Sequence, residues 1–225
     1  MARDLVADLG VLARQSVVMG PGLVHHELFT LEGLLTVLWH GPADAERVVV
    51  AGGGAMGGLL GPADGLYQDL GVALGEQGIG VLRVGYRRPG ELAACTLDLA
   101  AVLQLAQATG AERAVTMGHS FGGAVAVRVG AAMSDVVAGV IGLATQSAGC
   151  EVAGGLHGRP LLLFHGETDE LLPPDCSLVV RELAGGGEVV LLPGTGHLLR
   201  EAGAELRARL LEWLPAVLAA PTGPG

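Results

Sequence analysis

The sequence predicts an α/β fold: a mostly parallel, eight-stranded sheet, opened by an antiparallel hairpin, with helices on both faces. Three observations carry this expectation. Short β-type apolar runs alternate with longer Ala/Leu-rich runs along the chain. Two helical runs end at a glycine, Gly78 and Gly110, the residue best suited to the left-handed turn that closes a helix. The chain has 225 residues, too few for two ordinary domains and a linker and ample for one.

The elements follow in order. Residues 24–30 and 34–39 flank a short Leu-Glu-Gly turn and read as the hairpin. Residues 47–51, Arg-Val-Val-Val-Ala, are almost wholly apolar, as a parallel strand covered on both faces must be. A loop with six glycines or alanines, 52–58, comes next, and a helix over 63–77 ends at Gly78. Residues 79–86 form a strand. The helix 91–109 carries Leu92, Leu99, Val102, Leu103 and Ala106 on one stripe and closes at Gly110. A strand at 112–118 runs into a helix at 121–132. Strands at 136–143 and 160–165, a helix at 175–184, a strand at 188–192 and a helix at 198–218 complete the pattern. Leu5, Leu9 and Leu12 stand at helical spacing, so residues 1–20 read as an N-terminal extension holding a short helix packed on the sheet. Residues 21–218 read as one domain with no cap, and 219–225 as a flexible tail.

Composition narrows the function classes. Half the residues are apolar and 16% are charged, enough for a substantial core and wrong for a disordered chain. The net charge is −10, and the 13 basic residues are all Arg and form no basic run. Nucleic-acid binding, which is led by phosphate neutralisation, is not expected. No window of about 18 uninterrupted apolar residues occurs and the N-terminus is charged, so neither a membrane span nor a secretion signal is expected. Cys95, Cys150 and Cys176 are odd in number and far apart, which suits a reducing cytoplasm. His25, His26, His40, His119, His157 and His165 show no zinc spacing, and no metal or other cofactor is expected.

The chemistry-bearing residues begin with Gly118-His119-Ser120-Phe121-Gly122-Gly123. G-x-S-x-G alone is a weak signal. Here a strand enters it and a helix leaves it, which would hold the serine hydroxyl above the sheet edge on a sharp turn. The alternative is a glycine-rich turn with a serine N-cap. A serine needs a base, and His197 follows the last strand in Leu-Leu-Pro-Gly-Thr-Gly-His. Asp169 lies in the loop beyond the strand 160–165, with Glu167 and Glu170 as rivals. The order Ser, Asp, His and the placement of all three beyond carboxyl ends of strands agree with elbow chemistry.

Taken together, GHSFGG, HGETDELLP and GTGH resemble the α/β-hydrolases, over nearly the whole chain and at a size similar to dienelactone hydrolases. The resemblance implies Ser120 as nucleophile, His197 as general base and then acid, and Asp169 as the group that orients the imidazole. It implies an oxyanion hole from the Phe121 N–H and from the loop 51–58, with Gly53 and Gly54 as candidates. Many members carry His-Gly where this chain has Ala51-Gly52. Tyr86, Thr145 and Gln146 are candidates for the pocket wall. His157 and His165 read as structural. The function implied is a serine hydrolase, carboxylesterase-like, acting on small esters or thioesters through an acyl-enzyme. The alternatives are an acyltransferase, a haloperoxidase- or perhydrolase-like member, and a non-catalytic protein that binds a ligand or partner on the open face. The expected partner is a small-molecule ester.

Overall fold

In the computed structural model, residues 4–220 are described; most of the tail, 221–225, lies outside them. The chain forms one nine-stranded sheet: β1 (Val11–Gly20), β2 (Leu23–Thr30), β3 (Gly33–His40), β4 (Arg47–Gly52), β5 (Gly80–Gly85), β6 (Arg113–His119), β7 (Val137–Leu143), β8 (Leu161–Gly166) and β9 (Glu188–Leu192). The helices are α1 (Leu5–Asp8), α2 (Leu66–Gly75), α3 (Leu92–Thr109), α4 (Phe121–Ala132), α5 (Asp175–Leu183) and α6 (Gly203–Ala219). The sheet order is β1-β2-β3-β5-β4-β6-β7-β8-β9. β1, β2, β3 and β5 pair antiparallel in turn, and β5-β4-β6-β7-β8-β9 are parallel.

Alternation along the parallel strands divides the core into two layers. Val48 and Val50 of β4, Leu82 and Val84 of β5 and Leu161 and Leu163 of β8 join Leu99, Val102 and Leu103 of α3 and Val125 and Val129 of α4. Val49, Ala51, Val81, Leu162 and Phe164 face the other way, against Leu66, Leu70 and Leu74 of α2 and Leu206, Leu210 and Leu214 of α6. α3 is apolar enough by length and composition to cross a membrane, with a mean hydropathy of 1.4. Its buried residues pack instead against the sheet and α4. A buried ion pair ties its flank to the end of β5: Arg87 Nε donates to Asp98 Oδ1 at 2.6 Å, and the Arg87 backbone N–H to Oδ2 at 2.9 Å.

The helical reading of residues 1–20 is corrected. Leu5 belongs to a four-residue helix, Leu9 follows it and is buried, but Leu12 is already in β1, a ninth strand paired with β2. β1 is a sheet edge with both faces open, and Leu12, Val17, Val18 and Met19 are all more than half exposed. The last helix begins at Gly203, not near residue 198.

The topology sets the position of the site. From β4 the chain crosses to β5 on one side, and from α3 it returns to β6 on the other. The loops leaving β4 and β6 therefore diverge and open a crevice at their carboxyl ends, where open parallel sheets place their sites.

Candidate functional site

Ser120 stands at that crevice, between β6 and α4, with φ 56° and ψ −120°. A left-handed φ on a non-glycine residue costs on the order of 1–3 kcal/mol and persists only where the surroundings impose it. Those surroundings are specific. The Ser120 backbone N–H donates to Leu143 O at 2.8 Å, and its carbonyl accepts from Gly123 N–H at 3.0 Å. The turn also needs two glycines. A Cβ on Gly118 would lie 1.9 Å from Gly122 O, and one on Gly122 would lie 2.2 Å from Gly53 O. Both obstacles are backbone, so neither can yield cheaply. Gly122→Ala should cost about 2 kcal/mol or more and lower Tm by roughly 4–8 °C in a thermal melt. A melt within about one degree of wild type would show that α4 and the β4 loop are not so closely apposed.

Ser120 occupies the N-cap position of α4, yet its hydroxyl makes no capping hydrogen bond. The serine N-cap alternative thus fails: the group is not spent on the helix. Instead Ser120 lines a cleft of about 590 Å³ together with His119, His197, Gly53 and Gly54.

Asp169 and His197 are brought together from separate loops. His197 Nδ1 donates to Asp169 Oδ2 at 2.7 Å. Asp169 Oδ1 accepts from the Leu171 and Leu172 backbone N–H groups, both at 2.9 Å. Burial pushes the Asp169 pKa up, but the hydrogen bonds from Leu172, His197 and Leu171 outweigh it, and the net shift is downward. The carboxylate is therefore ionised at neutral pH. With Nδ1 carrying the proton, His197 Nε2 keeps a free lone pair. Glu167 and Glu170 are exposed, and it is Asp169 that the imidazole meets. Among the described residues no hydrogen bond joins Ser120 Oγ to His197, although both face one cleft. Contacts of this kind often tighten only when a substrate is bound.

The glycine-rich loop closes over the serine from the other side. A Cβ on Gly54 would stand 3.8 Å from Ser120 Cβ, in ordinary contact range. The Gly57 N–H donates to Gly54 O at 2.9 Å, folding the loop back on itself. Gly53 lies against Gly122 at the start of α4. Phe121 is the first residue of α4, so its N–H has no acceptor within the helix.

Three pocket-wall expectations are corrected. Tyr86 is buried in the core, and a Cβ on Gly52 would fall 1.9 Å from its hydroxyl; it supports the glycine loop from beneath. Thr145 is fully buried, with Oγ1 3.5 Å from Ser120 O and 3.2 Å from Gln146 O. Gln146 contacts the Ser120 carbonyl through its backbone N–H at 3.4 Å, and its side chain turns to Ala148 O. Both brace the elbow from below. The walls are Met56, Leu59, Leu60, Pro62, Leu171 and Leu198, of which Met56, Leu60 and Leu171 are more than 60% exposed. The signal that could have found them is the placing of large apolar residues in loops beside glycine and proline, where a core has no use for them.

Two histidines also belong here. His119 lines the cleft, and its Nε2 lies 3.0 Å from His197 O. A carbonyl only accepts, so Nε2 carries the proton and Nδ1 is bare. Burial is the main cause that lowers the His119 pKa to about 4, which keeps the ring neutral. His165 is fully buried, with Nε2 3.3 Å from Asp169 Oδ2. His165, read from the sequence as structural, is thus a buried neighbour of the site's carboxylate.

No protein-family model and no curated protein matches the sequence. Solved structures do match in shape. A dienelactone hydrolase from Anabaena variabilis aligns with a TM-score of 0.73 at 15% identity, covering 91% of this chain and 99% of that one. An alpha-beta serine hydrolase homologue from Coxiella burnetii gives 0.66 at 21% identity, covering 87% and 98%. The thioesterase domain from the curacin biosynthetic pathway gives 0.62 at 14% identity, covering 84% and 99%. The sheet order, the crossings and these likenesses agree: the chain has the α/β-hydrolase fold.

Proposed function

We propose that the protein is a serine hydrolase of neutral carboxylic esters and thioesters. The observation that supports this best is the pairing of an ionised Asp169 with His197 at 2.7 Å, in one cleft with a serine hydroxyl that is not spent on capping its helix. In this reading Ser120 Oγ attacks the acyl carbon while His197 Nε2 takes its proton. The Phe121 N–H, with Gly53 or Gly54, receives the developing oxyanion. His197 then gives the proton to the leaving group, and water activated by the same nitrogen releases the acid. Asp169 holds the Nδ1–H tautomer and balances the imidazolium charge. A dienelactone hydrolase and a thioesterase domain among the structural neighbours support ester and thioester chemistry.

The cleft speaks to the substrate. Its walls are apolar, and no Arg lines it among the described residues. An acyl chain without charge fits this lining, and an anionic one would enter without a counter-charge. Residues 144–160 contain only a 3-10 turn, Ala153–Leu156, so the site is walled by loops and open to water. Free access of water favours hydrolysis over acyl transfer. Each methylene that Met56, Leu60, Leu171 or Leu198 covers adds up to ~0.8 kcal/mol, or about fourfold in kcat/KM. Across a p-nitrophenyl ester series kcat/KM should rise to about four to eight carbons and then level, with smooth saturation and no jump at the solubility limit. A carboxylate at the chain end should abolish the gain. A series that is flat in chain length would mean that the apolar walls do not hold the acyl group.

A further inference from the structure

Beyond the three residues of the proposed reaction lies a buried relay that ends on α5. His165, the second-last residue of β8, places Nδ1 2.7 Å from Ser177 Oγ and Nε2 3.0 Å from Leu172 O. Because the Leu172 carbonyl can only accept, Nε2 must carry the proton. Nδ1 is then the acceptor, and the Ser177 hydroxyl must be the donor. The protonated Nε2 is also 3.3 Å from Asp169 Oδ2, the oxygen that accepts from His197. Asp169 thus has three hydrogen-bond donors, two backbone N–H groups on Oδ1 and His197 on Oδ2, and the polar Nε2–H edge of His165 lies 3.3 Å from the same Oδ2. Both His165 and Ser177 are fully buried, and neither lines the cleft.

We propose that His165, oriented by Ser177, is a positioning residue for Asp169: it shares Oδ2 with His197, anchoring the carboxylate and tempering the charge that His197 feels. This rests on the hydrolase reading above. The groups facing the relay are His197 from the loop after β9, His119 from the elbow and Asp169 itself; Glu167 and Glu170, on the same loop as Asp169, are exposed. Burial holds the His165 pKa below its ordinary value, so the ring stays neutral with its single proton on Nε2. Losing the positive Nε2–H edge at 3.3 Å leaves Oδ2 to His197 alone. The imidazolium of His197 is then better stabilised.

The test compares wild type with His165→Leu, His165→Gln and Ser177→Ala by two readouts. One is the NMR titration of the His197 imidazole, which needs no activity. The other is the pH profile of kcat/KM on p-nitrophenyl butyrate. In His165→Leu the His197 titration and the acid limb should both move up by about half a pH unit, with kcat lower by roughly tenfold and KM within about twofold. Ser177→Ala, which frees the ring without removing it, should move both in the same direction by a smaller step. His165→Gln, whose amide nitrogen can reach the Nε2 position, should restore most of the wild-type value. A His197 titration unchanged in His165→Leu overturns the proposal. If that variant does not fold, an unchanged titration in Ser177→Ala does so. A wild type that hydrolyses no ester, or a Ser120→Ala variant as active as wild type, removes the hydrolase reading, while the NMR arm still reports the relay.

Discussion

Ser120→Ala should lower kcat on a p-nitrophenyl ester by about 10³-fold or more while leaving the fold and its melting temperature unchanged. The two halves of this expectation have separate causes. The chemical half follows because Oγ is the atom that forms the acyl bond. Without it only the oxyanion donors and the binding cleft remain to speed attack by water. The structural half follows because the hydroxyl makes no capping bond, and alanine keeps the Cβ that already sits at φ 56°. Strain, helix and turn are therefore the same in both proteins. A variant that retains activity would place the nucleophile elsewhere, and a variant that melts early would mean that the hydroxyl supports the elbow.

Asp169→Asn should be comparably severe, on the order of 10⁴-fold in kcat. The reason lies in the three donors and the His165 Nε2–H edge that surround the carboxylate. An asparagine has one acceptor oxygen and one NH₂. If the oxygen stays on the Leu171 and Leu172 N–H groups, the NH₂ faces His197 Nδ1 and the protonated Nε2 of His165. His197 must then turn its proton to Nε2 to accept at Nδ1, and it can no longer serve as a base. The donor opposed to His165 adds a stability cost of about 1–3 kcal/mol. Glu167→Gln and Glu170→Gln remove exposed charges that meet neither imidazole, and kcat should stay within about twofold. Comparable losses in either glutamate variant would move the orienting role to another carboxylate.

Much of this arrangement was legible in the sequence because each piece has a local cause. The parallel strands are continuous apolar runs, and the elbow is marked by glycines that close packing requires. Asp169 and His197 follow strands in loops rich in Gly, Pro and acids. What escaped the reading has causes too. β1 is an open edge with no buried face, so it lacks the alternation that reveals a strand, and Leu12 happened to extend the helical spacing of Leu5 and Leu9. The cleft walls are loop residues, and no periodicity records where a loop passes. Tyr86, Thr145 and Gln146 stand at carboxyl ends of strands or just beyond, the right height for a pocket. Whether such a residue faces the cleft or the core depends on the path of neighbouring backbone, here the approach of Gly52 and Gly123. The relay through His165 and Ser177 joins β8 to α5, a contact that only the packed fold creates.

The central claim is that Ser120 is a nucleophile activated by His197. A fluorophosphonate probe with mass mapping of the adduct tests it most directly, because the probe needs both an activated hydroxyl and an oxyanion site. The account predicts one phosphonyl group on the peptide containing Ser120 in the wild type, no label in Ser120→Ala, and strongly slowed labelling in Asp169→Asn. Label on a different residue, or a folded wild type that takes up no label, would contradict it.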